Sequence, residues 1–110
     1  MSEALVDTGA DDTVFPEVIA QSAGIDLAGA PSATMAGIAS RPQVIRYAYV
    51  TLRLTDGAEF REWPSWVGFT SARLIRPIFG FAGFLQFFTA TFHGDREEVE
   101  LTVNPLYPGT

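Results

Sequence analysis

The chain has 110 residues, 13 acidic side chains against seven basic ones, and a formal net charge of -6. That length fits one domain, which buries roughly two-thirds of its unfolded surface. All seven basic residues are Arg, and the acidic balance argues against a nucleic-acid binder, which needs a basic face. Apolar residues make up 47%, with ten Gly and seven Pro, so the chain reads as globular and rich in turns. There is no Cys, which removes disulfides and thiolate metal sites.

Met1-Ser2-Glu3 has neither the basic start nor the apolar core of a secretory signal. The longest uncharged run, Pro77 to Phe92, is shorter than a membrane span and carries Pro77, Gly80, Gly83 and Gln86. No membrane association is expected, and a cytoplasmic location is favoured.

The first informative stretch is Ala4-Leu-Val-Asp-Thr-Gly-Ala-Asp-Asp-Thr-Val14. Its apolar start reads as a strand heading into a core, and Asp7 with Gly9 forces a turn. This places a carboxylate at a strand end, where Thr8 supplies a hydroxyl and Gly9 allows close backbone approach. Leu-Val-Asp-Thr-Gly-Ala-Asp-Asp-Thr-Val resembles the active-site segment of the retropepsins, the single-domain aspartic proteases of retroviruses and their bacterial relatives. The resemblance implies an all-β fold, a retropepsin-like closed barrel or sandwich half with one or two short helices, over a single domain 1–110. Retropepsins place about two further strands before this motif; only six residues precede Asp7 here.

Phe15 to Gly24 reads as a short helix. Pro16 suits its first position, Glu17 its positive end and Gly24 its terminus, with Val18, Ile19 and Ala23 sharing a face. Asp26 to Thr34 reads as a loop. By resemblance, Met35 to Ser40 is the flap that closes over substrate, with Met35, Gly37 and Ile38 at its apolar tip.

Gln43 to Leu54 alternates as a long strand, Thr55-Asp56-Gly57 is a hairpin turn, and Ala58 to Phe69 returns. Pro64 is expected at an edge or bulge of that returning strand. Trp63 and Trp66 are expected to pack against the sheet rather than form a ligand platform.

Ile78-Phe79-Gly80 is a second apolar run ending in Gly. In retropepsins a similar element passes beside the catalytic loop and leads into a short helix. The family follows that Gly with Arg and then Asp or Asn, the Arg pairing with the acid that corresponds to Asp11. Phe81 and Ala82 stand there instead. Two further strands, Phe87 to Phe92 and Glu97 to Val103, flank a turn at His93-Gly94-Asp95. Asn104 to Thr110 reads as a polar tail. His93 is the only histidine, so no histidine triad or multi-histidine metal site can form within one chain.

Aspartic-protease chemistry needs two carboxylates sharing one proton, one acting as base toward a water and the other donating to the substrate carbonyl. Asp11 and Asp12 lie too near Asp7 in sequence to face it across a substrate. The resemblance therefore implies a homodimer with Asp7 from each copy as the dyad. Thr8 then braces the two loops, and the Gly9 backbone lies along a peptide or protein substrate. Ala10, Asp11, Asp12, Met35, Gly37, Ile38 and Ile78 are the expected substrate-binding residues. No metal or organic cofactor is required. Two alternatives remain: a catalytically inactive binding or assembly domain with the same fold, and a metal-dependent hydrolase built on Asp7, Asp11 and Asp12.

Overall fold

The computed structural model describes residues 4–35, 43–74 and 76–110. Eight strands dominate: β1 (Leu5–Val6), β2 (Val14–Pro16), β3 (Ser32–Met35), β4 (Gln43–Thr55), β5 (Phe60–Thr70), β6 (Ile78–Phe79), β7 (Phe88–His93) and β8 (Glu98–Val103). One α-helix, α1 (Glu17–Ser22), and one 3-10 turn, Leu85–Phe87, complete the described elements. The chain is all-β, with the short helices expected. No described helix is long and apolar enough to cross a membrane.

Six strands form one sheet in the order β1-β6-β2-β5-β4-β3, while β7 and β8 form a separate hairpin sheet. The expected closed barrel is thus not formed among the described residues. The reason lies in the ends: β1 and β3 border the large sheet, and the last two strands pair with each other.

The β4–β5 hairpin is the backbone of the sheet. Its eleven pairs run one-to-one from Ile45↔Thr70 to Thr55↔Phe60. The turn between them is held by side chains. Thr55 Oγ1 accepts from the Gly57 amide, and Asp56 Oδ1 accepts from the Ala58 and Glu59 amides. Those two amide bonds hold the Asp56 carboxyl below its ordinary pKa.

Pro64 sits within this ladder without a bulge, opposite Thr51. The Gly68 amide, four residues on, points to Thr13 and away from β4. By the two-residue repeat Pro64 faces the same way, where β2 no longer reaches, so no ladder bond is lost. Pro64 therefore lies at a local edge of an otherwise central strand.

One face of the sheet carries the two main core clusters, while Val14 and Ile45 are fully buried on the other. Phe15, Val67 and Phe69 pack under Ala20 of α1, and Trp63 packs with Phe84 and Phe88 toward the C-terminal hairpin. Leu52 and Phe79 touch both clusters. Trp63 is buried as expected, its indole N–H donating to the Gly83 carbonyl at 3.0 Å. The tail is not a loose polar end: Tyr107 packs on Trp63 and donates to the Glu62 carbonyl at 3.0 Å.

Four other expectations are corrected. The helix is shorter, because Phe15 and Pro16 belong to β2 and Pro16 becomes the residue before the first turn. Its buried face centres on Ala20 rather than Val18, which is 59% exposed. The Gly24 amide bonds Gln21 and the Ile25 amide bonds Ala20, closing the helix through Gly24 at φ 73°. Residues 32–34, expected in a loop, are strand because they pair with β4. Leu5 does not enter a core: β1 is a two-residue edge strand, and Leu5 is 47% exposed.

Candidate active site

Residues 7–13 form the turn that joins β1 to β2, and β6 lies between those two strands. The backbone explains how the turn is held. Leu5 and Asp7 donate to the Pro77 and Phe79 carbonyls at 2.8 and 3.0 Å. On the far side, Phe81 donates to the Ala10 carbonyl and Ala82 to the Asp11 carbonyl, each at 2.9 Å, while Thr13 donates to Ala82 at 3.2 Å. The Ile78-Phe79-Gly80 element thus passes directly beside the Asp7 loop.

Gly80 is the point of closest approach. A Cβ there would collide with the Asp12 carbonyl and come within 2.8 Å of the Ala10 carbonyl. Only a residue without a side chain lets these two segments meet. After it, Leu85 and Gln86 donate back to Gly80 and Phe81, forming the short turn expected at this place.

Within the loop, the Gly9 amide donates to Asp7 Oδ1 at 2.9 Å, and Thr8 and Gly9 are exposed. Asp7 is half-buried. This arrangement orients one carboxylate oxygen through a backbone N–H and leaves the next two residues open to a partner. Ala10 and Asp12 are half-buried and Asp11 is exposed. Phe81, where the resemblance led to an expected Arg, is 60% exposed, and backbone bonds fix the loop on this side.

Asp12 has a partner that lies 35 residues away. The Tyr47 hydroxyl donates to Asp12 Oδ2 at 2.8 Å. The register shows how they meet. Leu5, Ile78, Val14, Gly68 and Tyr47 form one row across five strands, on the face opposite the Phe15–Val67–Phe69 cluster. A Cβ on Gly68 would strike Ile45 and approach the Tyr47 ring to 3.4 Å. The bare glycine leaves room for that ring. Beneath it, the Thr13 hydroxyl is fully buried and has no hydrogen-bond partner among the described residues.

Burial, then the hydrogen bond and charge of Asp12, push the Tyr47 phenol up from 10.0 to about 12. A raised pKa makes its contribution to stability complete below the unfolded value near pH 10 and lost as pH rises toward 12. In an alkaline titration followed by phenolate absorbance, one of the three tyrosines should ionise only near pH 12. Tyr47→Phe should remove that late step and cost about 1 kcal/mol of stability by urea unfolding. An unchanged titration curve would contradict the assignment.

Of the expected site residues, Asp7 to Asp12 share one loop, and Ile78 lies in the row beside it. Met35 ends β3; Gly37 and Ile38, and the flap tip they were expected to form, lie outside the described residues. Asp7, Asp11 and Asp12 do not form a metal-holding group among the described residues. Asp12 is committed to Tyr47 and Asp7 to the Gly9 amide. His93 closes β7 rather than sitting in the turn, and its ring is 3.7 Å from Glu100.

Sequence reasoning overlooked Tyr47, Gly68 and the exposed aromatic ring of Trp66. Gly68 alone carried a readable signal, since a glycine inside a strand marks a close approach. Trp66 is 39% exposed, and its ring stacks on Tyr47 at 5.8 Å and lies 4.7 Å from Tyr49. Both tryptophans thus pack against the sheet as expected, Trp63 within the core and Trp66 on the opposite, exposed face against Tyr47 and Tyr49. Compared with known protein families, curated proteins and solved structures, the chain matches none.

Proposed function

We propose that the chain is one half of a retropepsin-like aspartic endopeptidase, in which Asp7 from each of two copies forms the catalytic dyad. The observation that supports this most is the clamped Asp7 loop. A carboxylate oriented by the Gly9 amide stands beside exposed Thr8 and Gly9, on a turn bound from behind by Phe79 to Ala82. Such a site presents one carboxylate in a fixed position and leaves space for a second.

In the two-copy arrangement the paired carboxylates hold a water between them. One takes a proton from the water as it attacks the peptide carbonyl; the other gives a proton to the carbonyl oxygen. Collapse of the tetrahedral species breaks the C–N bond, and the amine leaves with a proton. Gly9 and Ala10 supply extended backbone along the substrate, and Ile78 supplies apolar surface. Asp12, fixed by Tyr47, lies at the same loop's far end.

The test is peptide hydrolysis. Cleavage of extended apolar peptides should be favoured by acid and blocked by hydroxyl-bearing mimics of the tetrahedral state. An active protein indifferent to such mimics would contradict the dyad. A folded, dimeric protein with no hydrolytic activity would favour the binding-domain reading.

A further inference from the structure

We propose that the free edge of β4 from Tyr49 to Arg53, together with the exposed rings of Tyr49 and Trp66, docks an extended basic segment of another polypeptide. The backbone carries the first part of the argument. β3 pairs with β4 only from Gln43 to Arg46, and the Tyr47 amide makes the last bond on that side, to the Pro31 carbonyl at 2.9 Å. Its cross-strand partner Gly68 directs its amide to Thr13, so the Tyr47↔Gly68 pair exchanges no bonds. By the two-residue repeat, Tyr49, Thr51 and Arg53 also turn their N–H and C=O groups away from β5. These groups have no backbone partner among the described residues. A row of donors and acceptors at this spacing is what an added strand recognises.

The side chains of the same residues narrow the occupant. Tyr49 is 76% exposed and faces Trp66 across the ladder. Farther along the same face, the Arg53 guanidinium lies 4.3 Å from the Phe60 ring centroid and pairs with Glu62 at 3.6 Å. That end of the face has its own cation over an aromatic ring. The Tyr49–Trp66 end has the rings and, among the described residues, no cation over them. An incoming Arg or Lys completes the same pattern there, and a chain of net charge -6 attracts it. Alternate residues of an added strand project to one face, so a basic residue at every second position meets the rings while the backbone pairs with β4.

This surface does not depend on the proposed peptidase activity, and the test is made in the Asp7→Asn protein so that no peptide is cleaved. Binding is read from tryptophan fluorescence, with buried Trp63 as a constant background. A peptide of alternating Arg and Thr should bind, and one of alternating Glu and Thr should bind about tenfold more weakly or not at all. Tyr49→Ala should weaken the Arg peptide about tenfold. Thr51→Pro should abolish binding while leaving the fold intact, because the Thr51 amide has no backbone partner among the described residues and its partner across the ladder is already Pro64. Unfolding curves check that the fold survives. Equal binding of the acidic peptide, binding that survives Thr51→Pro, or no binding of either peptide would overturn the proposal. Self-association that Thr51→Pro removes would show a second copy closing the edge, and would overturn the proposed occupant.

Discussion

Asp7→Asn should abolish peptide hydrolysis, by a factor of at least about 100, while leaving the fold unchanged. The amide is nearly isosteric with the carboxylate, and its oxygen can still accept the Gly9 amide bond that holds the turn. What it cannot do is take a proton from water. The shared-dyad account adds a second, sharper expectation. When Asp7→Asn protein is mixed in excess with native protein, native activity should fall, because mixed dimers carry one carboxylate and one amide. Activity that survives Asp7→Asn, or native activity untouched by the mixture, would contradict the proposed role of Asp7.

Gly80→Ala should be the most damaging single methyl at the Asp7 loop. The added carbon would collide with the Asp12 carbonyl and stand 2.8 Å from the Ala10 carbonyl. Both are backbone atoms, so no rotamer change relieves the contact. One of them, the Ala10 carbonyl, also accepts the Phe81 amide. Moving apart by enough to admit a methyl breaks the bonds from Phe81 and Ala82 that clamp the loop. A loss of about 3 kcal/mol or more is expected in urea unfolding, with loss of any hydrolytic activity. Gly94→Ala is a fair control, since a Cβ there meets nothing within 4 Å. Equal effects at the two positions would mean that the close approach at Gly80 does not hold the loop.

The legible parts of this chain were those with local chemistry. The alternation of Gln43 to Leu54 and the Thr-Asp-Gly turn sufficed for the long hairpin, because both period and turn act within a few residues. That Ile78-Phe79-Gly80 lies beside the Asp7 loop was implied only by the resemblance to the retropepsins, and the backbone bonds between the two agree with it. The parts that were not legible depend on distant partners. Ser32 to Met35 has weak strand character and becomes a strand only because β4 lies beside it. Tyr47 reaches Asp12 across a glycine on a third strand, and no local pattern announces that. Leu5 looks like a core residue in sequence, yet β1 is the border of the sheet. Among the described residues no barrel closes, for the same reason, since closure depends on how the sheet edges meet.

Two further consequences concern specificity. Asp12 is already bonded to Tyr47, so in the proposed site it would act as part of a Tyr–Asp pair rather than as a free carboxylate. Phe81 offers an exposed apolar surface where an ion pair is expected by resemblance, which shifts that side of the loop toward apolar contacts.

The central claim is that two copies share one site, and sedimentation with activity across one dilution series tests it most directly. If Asp7 of each copy supplies half of the dyad, activity per chain falls with dilution in step with the fraction of dimer. A monomer at every concentration that still cleaves peptides, with constant activity per chain, would contradict the claim.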